Sequence, residues 1–296
     1  MSDDYLKRPL SALASLADRV AVVTGAAQGF GYAIAERLAE GGAAVALLDI
    51  DLAGAQRAID RIRRWAPAAG LLAVKADVTD PADVEESFTA VEQHLGPVDI
   101  LVNNAGVYSN YMFLEMPVAE FDRIQRVNLR GVFLCSQRAA RPMKERGGGV
   151  IVHIASVDAL GSSAQGLIHY TTSKHGIAGM TKSMAMELGP MGIRVNAVCP
   201  GASYTEGTYA LLAQGAPAGI DVDAQWDAIA GHTPLGRLID PDEVGVAVAI
   251  VASDLFRSVH GSMIAVDGGI LVQPLEGYVS VRADHDGQPR EPGDVI

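Results

Sequence analysis

Short apolar runs alternate with longer segments of helical pattern through most of this chain. The apolar runs are continuous, without alternating polar residues, which is typical of parallel strands covered on both faces. Repeated strand–helix alternation predicts an α/β fold with one doubly wound sheet of about seven parallel strands and helices on both faces. The predicted strands are Val20–Thr24, Ala44–Asp49, Leu71–Lys75, Ile100–Asn103, Val150–Ala155, Arg194–Val198 and Met263–Val266. The predicted helices include Gly31–Glu40, Pro81–His94, Glu120–Arg146, Thr171–Leu188 and Pro241–Ser253.

The length of 296 residues is compatible with one or two domains. No linker divides the alternating region, so residues 20–269 are predicted to form a single domain. Within it, residues 202–232 are rich in glycine and are predicted to be a mobile insertion that acts as a substrate lid. Residues 1–19 and 270–296 are then terminal extensions. The last extension is either a frayed terminus or a segment that docks on a neighbouring subunit.

The charge balance excludes some classes of partner. Lys and Arg number 23 and Asp and Glu number 35, a net charge of −12. This argues against a general nucleic-acid or membrane-surface binder, because phosphate contact requires basic patches. Cys135 and Cys199 are too few for a disulfide framework and are expected to be small buried apolar residues. No clustering of ligand-type residues predicts a metal site.

The sequence contains no pattern that predicts membrane insertion or export. The N-terminus lacks the basic and apolar regions of a signal peptide. Apolar runs are far shorter than the roughly 18 residues that a membrane span requires. We therefore expect a soluble, cytoplasmic protein.

A glycine-rich turn joins the first predicted strand to the first predicted helix, with the spacing G-x-x-x-G-x-G. Glycines at such a turn let the backbone approach a pyrophosphate, and the helix N-terminus complements its charge. The spacing differs from the commonest dinucleotide fingerprint, so taken alone it could be only a tight turn. Its position between a strand and a helix favours a Rossmann-type dinucleotide site. The residues of this loop that we expect at the cofactor are Gly25, Gln28, Gly29, Phe30 and Gly31.

Asp49 ends the second predicted strand, 18 residues after Gly31. An acidic side chain at this place accepts hydrogen bonds from the adenosine ribose hydroxyls and repels the 2′-phosphate of NADP. Gln28 offers no positive charge to such a phosphate. The alternative is that Asp49 caps the helix that follows. Together the two residues favour NAD over NADP.

Tyr170 and Lys174 lie four residues apart and therefore on one face of a predicted helix. A phenol with a pKa near 10 is a poor base at neutral pH. A neighbouring ammonium group and a positive nicotinamide ring favour the phenolate and lower that pKa. In isolation Tyr-x-x-x-Lys is usually a chance pair, so its meaning depends on the motifs around it.

From Val20 to Gly269 the chain resembles the classical short-chain dehydrogenase/reductase family. The resemblance depends on several motifs that occur in the family's order. They are Thr24-Gly25-x-x-x-Gly29-x-Gly31 as the cofactor loop, Asp77-Val78 as the pair at adenine, Asn103-Asn104-Ala105-Gly106 as the sheet-stabilising signature, Asn128 in Val-Asn-Leu, Ser156, Tyr170 with Lys174, and Pro200-Gly201 at the nicotinamide. The resemblance places Asp77, Val78, Asn104, Ala105, Gly106, Pro200, Gly201, Tyr170 and Lys174 at the cofactor.

The resemblance implies roles for four catalytic residues. Ser156 and Tyr170 would hold the substrate oxygen, with Tyr170 as general acid and base. Lys174 would hold the ribose hydroxyls and lower the pKa of the tyrosine. Asn128 would support a water that relays the proton.

The activity implied is NAD(H)-dependent interconversion of a secondary alcohol and its ketone by hydride transfer, the alcohol being a polyol, a sugar or a cyclic alcohol. Alternatives are a carbonyl reductase in the physiological direction and a non-catalytic dinucleotide-binding sensor, against which the complete catalytic set argues. The resemblance also implies a homodimer or homotetramer with the predicted helix 171–188 at an interface.

One spacing departs from the family's pattern. Ser156 precedes Tyr170 by 14 residues where the family usually has 13, which predicts a longer loop between residues 158 and 169. Ser162 and Ser163 are alternatives for the serine. Thr205 is the candidate for the threonine that the family places after Pro200-Gly201.

Several other polar residues fall in loops that the fold brings toward the substrate. Each could contact the substrate, although a solvated or packed loop residue is the simpler interpretation. His153 alternates with apolar residues in a strand and is expected to be structural. His175 points in a different direction from Lys174 and receives no catalytic role. The loop residues are Tyr108, Asp158, His169, Tyr204 and Tyr209.

Overall fold

The computed structural model describes residues 8–161, 164–209 and 222–272, and its centre is a seven-stranded sheet. Every strand pair is parallel, and the strand order is β3-β2-β1-β4-β5-β6-β7. The predicted doubly wound parallel sheet is therefore confirmed. The strands are β1 (Val20–Thr24), β2 (Ala44–Asp49), β3 (Leu71–Lys75), β4 (Ile100–Asn103), β5 (Gly149–Ile154), β6 (Ile193–Pro200) and β7 (Met263–Val266).

Helices cover both faces of this sheet. One face packs against α2, α3 and α9, and the opposite face packs against α4, α6 and α7. The helices in the described residues are α1 (Leu10–Ala14), α2 (Gly29–Glu40), α3 (Leu52–Ile62), α4 (Pro81–His94), α5 (Val118–Gln125), α6 (Val132–Glu145), α7 (Ile168–Leu188), α8 (Val222–Gly231) and α9 (Pro241–Ala252). None of them is both long and apolar enough to cross a membrane.

Successive residues of β1 show why the strands read as unbroken apolar runs. Ala21 and Val23 enter one core with α2 and α9, whereas Val20 and Val22 enter the other core with α4 and α6. Since side chains alternate between the faces of a strand, a strand covered on both faces requires apolar residues at every position. Both cysteines are free and buried, as expected.

At three places the structure differs from the sequence prediction or adds detail to it. The single helix predicted over 120–146 is divided, because Arg126–Gly131 forms a π-helical turn between α5 and α6. The insertion predicted to be mobile contains a helix, α8, whose Trp226 is buried. The sequence analysis expected a helix after Asp49 without stating its bounds; α3 is that helix, and Asp51 caps it by accepting a hydrogen bond from the Gly54 N–H at 2.9 Å. Residues 210–221 and 273–296 lie outside the described residues.

Candidate active site

The strand order reverses beside β1, whose neighbours are β2 and β4. In open α/β sheets such a switch point leaves a crevice at the carboxyl ends of the strands. The loops that follow β1, β2, β4, β5 and β6 begin at this edge, whereas Asn128, Tyr170 and Lys174 reach it from helical segments. The topology therefore brings the predicted cofactor motifs and the predicted catalytic residues to one side of the sheet.

The glycine loop is shaped by close backbone contacts. Gly25 has a φ of +64°, and a Cβ there would lie 2.7 Å from the Cα of Ala105, so no larger residue fits. At Gly31 a Cβ would collide with the carbonyl oxygen of Gly25. Gln28 is the N-cap of α2 but its side chain makes no capping hydrogen bond. The backbone N–H groups in the first turn of α2 therefore have no hydrogen bond from the capping side chain. Such N–H groups can donate hydrogen bonds to a phosphate.

Thr24 and Asn104 tie the loop after β1 to the loop after β4. The Thr24 hydroxyl oxygen accepts hydrogen bonds from the backbone N–H groups of Asn104 (3.1 Å) and Ala105 (3.0 Å). In return, the Asn104 amide donates to the carbonyl oxygens of Thr24 (3.0 Å) and Gly25 (2.9 Å). These four bonds join the two loops at the base of the crevice, and Gly106 follows directly.

Asp49 lies at the carboxyl end of β2 and faces the glycine loop. Its carboxylate accepts hydrogen bonds from the backbone N–H groups of Ala27 and Asp51, both at 2.9 Å. The alternative prediction, that Asp49 caps the next helix, is wrong, because Asp51 is the N-cap of α3. Gln28 is exposed beside the same crevice. Neither of the two residues that the sequence analysis used to choose between NAD and NADP, Asp49 and Gln28, is positively charged.

The remaining cofactor candidates lie around this loop. Asp77 is held by a hydrogen bond from Thr79 N–H (2.8 Å), and Val78 packs on Gly131, the last residue of the π-helical turn. Pro200 ends β6. A Cβ on Gly201 would lie 2.7 Å from the Cα of Asp267, so the chain after β6 passes close to that after β7.

Thr205 lies above the glycine loop. Its Cβ is 3.6 Å from the position that a Cβ on Gly29 would take. Its hydroxyl accepts from the backbone N–H of Thr208 at 3.1 Å, which fixes the start of the 202–232 segment. Thr205 therefore neighbours the glycine loop, and its assignment as the threonine that follows Pro200-Gly201 stays a prediction.

Asn128 sits in the π-helical turn and is buried. Its side-chain oxygen accepts from the Val107 N–H and its amide donates to the Val107 carbonyl, both at 2.8 Å. The amide also contacts the hydroxyl of Ser173 at 3.2 Å. Asn128 thus fixes the loop after β4 against the helix that carries Tyr170 and Lys174.

Ser156 directly follows β5 and is bound to Asp158. The serine hydroxyl donates to one carboxylate oxygen of Asp158 (3.2 Å), and the other carboxylate oxygen accepts from the Thr171 hydroxyl (3.1 Å). Asp158 is only 4% exposed. The alternative serines, Ser162 and Ser163, lie outside the described residues.

Lys174 is buried, and Tyr170 is partly buried one helical turn before it, near Ser156. Burial raises the pKa of Tyr170, and a hydrogen bond from Ser156 opposes that rise. Burial lowers the pKa of Lys174 to about 8. The Lys174 ammonium lies 5.4 Å from the centroid of the Tyr170 ring and donates to the Ile154 carbonyl at 2.9 Å.

The structure distinguishes among the loop residues that the sequence left open. Tyr108 packs edge-to-face against Tyr170, with ring centroids 5.9 Å apart. Asp158 is bonded to Ser156, as described. His169 forms a hydrogen bond of 2.8 Å with the Ser109 hydroxyl and is a packed residue. Tyr204 and Tyr209 pack on each other with centroids 5.4 Å apart. No local sequence signal separated the first two from the rest.

His153 and His175 are the two other histidines that the sequence analysis considered, and it gave neither of them a catalytic role. His153 is fully buried, and its Nδ1 lies 3.0 Å from the Thr181 hydroxyl. Burial lowers the pKa of His153 to about 4, which favours the neutral ring of a structural residue. His175 is exposed and its ring contacts the carbonyl of Thr171. Among the residues that the structure describes, no three His, Cys, Asp or Glu side chains are grouped to hold a metal ion.

Comparison with known proteins identifies the family of this chain. The family model described as enoyl-(acyl carrier protein) reductase matches residues 25–271. The chain is 40% identical over 262 residues to cis-4-hydroxycyclohexanecarboxylate dehydrogenase of Sinomonas cyclohexanicum, covering 86% of this chain and 97% of that protein. It is 36% identical over 253 residues to 3alpha-hydroxysteroid dehydrogenase of Mediterraneibacter gnavus (strain ATCC 29149), covering 86% and 97%.

A solved structure is similar at the level of the whole fold. The actinorhodin polyketide ketoreductase with NADPH is 32% identical and superposes with a TM-score of 0.81, covering 85% of this chain and 97% of that one. The chain therefore belongs to the short-chain dehydrogenase/reductase family. It is an oxidoreductase of that family, and its fold binds a nicotinamide dinucleotide.

Proposed function

We propose that this protein is an NAD-dependent dehydrogenase that interconverts a secondary alcohol and its ketone. The observation that carries the proposal is the group formed by Ser156, Tyr170 and Lys174 in the crevice, in which the serine and the lysine are buried and the tyrosine is partly buried. Such a group places a proton-transferring phenol where a substrate oxygen can meet a nicotinamide. Relatives whose names specify oxidation of ring hydroxyls support this reaction class.

The crevice fits a dinucleotide by the shape and charge of its backbone. The amides at the start of α2 would receive the pyrophosphate, and Thr205 would cover it. Asp49 would accept hydrogen bonds from the adenosine ribose hydroxyls. A similar protein holds NADPH, so the fold alone does not select the cofactor. The choice of NAD depends on the carboxylate of Asp49 and on the uncharged Gln28.

Proton transfer in this mechanism depends on residues of the chain. The cofactor, when bound, supplies the hydride acceptor and a positive ring. Ser156 and Tyr170 hold the substrate oxygen, and Tyr170 takes the hydroxyl proton during oxidation. Burial raises the pKa of Tyr170, so the phenolate requires the positive charge of Lys174 and of the nicotinamide ring to form. The proton then passes toward solvent at Lys174, beside the buried Asn128.

Two alternatives differ from this proposal in measurable ways. A carbonyl reductase would use the same residues in the opposite direction. The ratio of oxidised to reduced cofactor would decide which direction of the reaction predominates. A dinucleotide-binding sensor would need the crevice but not the catalytic group. The grouping of Ser156, Tyr170 and Lys174 in one place favours the enzyme.

Replacement of Tyr170 tests the proposal. A panel of secondary alcohols is offered with NAD and with NADP, and the absorbance of the reduced cofactor is followed. Tyr170→Phe is expected to lose about 10²- to 10⁴-fold in turnover, the usual contribution of an acid–base group, and to bind cofactor as the wild type does. Tyr111→Phe, a matched change of a partly exposed tyrosine, should leave turnover unchanged. Cofactor binding without turnover in the wild type would favour the sensor, and an active Tyr170→Phe would disprove the assignment.

A further inference from the structure

Tyr108 carries a buried hydroxyl group that the proposed mechanism does not use. Within residues 8–161, 164–209 and 222–272, this oxygen has no hydrogen-bonding partner. A buried hydroxyl group without a partner is unfavourable, and native proteins rarely retain one without a reason. The partner of this group is therefore not one of the described residues.

The hydroxyl lies beside the proposed reaction site. The Tyr108 ring packs edge-to-face on Tyr170, with an angle of 68° between ring planes. Its oxygen lies 3.5 Å from the position that a Cβ on Gly207 would take. It is therefore enclosed between the proton-transferring tyrosine and the beginning of the 202–232 segment. A substrate bound to Tyr170 would extend into the same space.

The loop that carries Tyr108 is held in place independently of the hydroxyl. Its neighbour Val107 exchanges two hydrogen bonds of 2.8 Å with Asn128. Burial raises the pKa of Tyr108 to about 12, so the phenol keeps its proton at neutral pH and is a hydrogen-bond donor. A fixed donor beside the reacting group is what discrimination between substrates requires.

We infer that Tyr108 determines substrate specificity by donating a hydrogen bond to a second oxygen of the substrate, close to the carbon that is oxidised. The preferred substrates are then vicinal diols and hydroxy ketones, including polyols and sugars, over alcohols with a single oxygen. This inference rests on the proposed dehydrogenase function and names the substrate class of the same site. The second oxygen supplies the acceptor that the buried phenol lacks.

Matched pairs of alcohols test the inference. Butane-2,3-diol is compared with butan-2-ol, and trans-cyclohexane-1,2-diol with cyclohexanol, each with saturating NAD. In the wild type the diol of at least one pair should exceed its mono-alcohol in kcat/KM by about tenfold or more, because a site built for a hydrogen bond rejects analogues that lack it. In Tyr108→Phe this ratio should fall by about tenfold, chiefly through loss of activity on the diol.

Tyr111→Phe is the control, since Tyr111 is a partly exposed tyrosine on the same loop; it should retain the wild-type ratio. Three results would overturn the inference and leave the proposed function intact. They are a wild type with no preference for diols, a Tyr108→Phe variant that loses equally on both members of each pair, and a variant whose main defect is a raised KM for NAD. Absence of turnover with every alcohol and either cofactor would instead reject the proposed function, and the inference with it.

Discussion

The hydroxyl of Ser156 is shared between two parts of Asp158: it donates to the carboxylate at 3.2 Å and accepts from the backbone N–H at 3.1 Å. A serine hydroxyl has one proton to donate. The Asp158 carboxylate therefore competes for the proton that Ser156 would offer to a substrate oxygen. Its negative charge also raises the pKa of Tyr170, so Asp158 acts on both of the residues that we propose to hold the substrate oxygen.

Asp158→Asn should move the pH dependence of alcohol oxidation toward lower pH. Tyr170 must lose its proton before it can act as a base, and a nearby negative charge makes that loss harder. The neutral amide removes the charge and keeps the shape of the side chain. The pH at which kcat/KM for oxidation rises should therefore be lower in the variant than in the wild type. The measurement is the pH profile of kcat/KM with saturating NAD.

An exposed carboxylate provides the control for this change. Asp122→Asn on α5 removes the same charge at the surface and should leave the profile in place. If Asp158 serves only packing, Asp158→Asn lowers activity at every pH and does not displace the profile. That result would rule out the electrostatic role.

Asp49→Asn should weaken the preference for NAD. The change removes a charged acceptor for the ribose hydroxyls. Loss of a hydrogen bond to a charged group should lower the affinity for NAD by about tenfold or more. It also removes the repulsion of a 2′-phosphate, so the affinity for NADP should rise. The dissociation constants of both cofactors, measured by calorimetry, report the two effects separately.

Asp51→Asn is the matched control for Asp49. It removes a charge two residues away but keeps the N-cap of α3, because asparagine caps as well as aspartate. The ratio of NADP to NAD affinity should remain that of the wild type. An equal change in both variants would show that the general charge of the segment, and not Asp49 itself, selects the cofactor.

Lys174→Met should stabilise the fold while it abolishes turnover. Lys174 is 5% exposed, and burial lowers its pKa from 10.5 to about 8. Between these pH values the unfolded chain binds more protons than the folded chain, so the free energy of unfolding rises with pH across this window. Below pH 8 the full penalty for burying the charge, about 3 kcal/mol, opposes folding.

Urea unfolding at several pH values measures this effect. At pH 7 Lys174→Met should exceed the wild type by about 1–3 kcal/mol, less than the full penalty because the Ile154 carbonyl loses its donor. The difference should shrink as the pH rises toward 10. Lys144→Met, at an exposed position of α6, should show neither effect. A Lys174→Met protein that is less stable at pH 7 would contradict the prediction.

Much of the sheet was predictable because its determinants are local. The bounds of β1, β2, β3, β4 and β7 agree with the prediction at both ends, since two-sided burial requires an apolar residue at every strand position. The glycine loop was predictable for a similar reason. Gly25 and Gly31 occupy positions where a Cβ would meet backbone atoms.

The features that were missed depend on contacts between distant parts of the chain. The helical pattern continues through residues 126–131, but Asn128 reaches Val107, 21 residues earlier, and the helix there becomes a π-helical turn. In the same way, nothing near Tyr108 indicates that its ring meets Tyr170. Asp49 and Asp51 lie two residues apart, and only the structure shows which of them caps α3.

The bonds between Thr24 and Asn104 have a consequence for how this scaffold diversifies. They join the loops after β1 and β4 without help from residues 158–169 or 202–232. Changes in those two outer segments therefore leave the base of the crevice intact. These two segments can therefore be exchanged for those of a relative in order to change selectivity in a redesigned protein. The same independence would let the two segments vary in nature while the base of the crevice is kept.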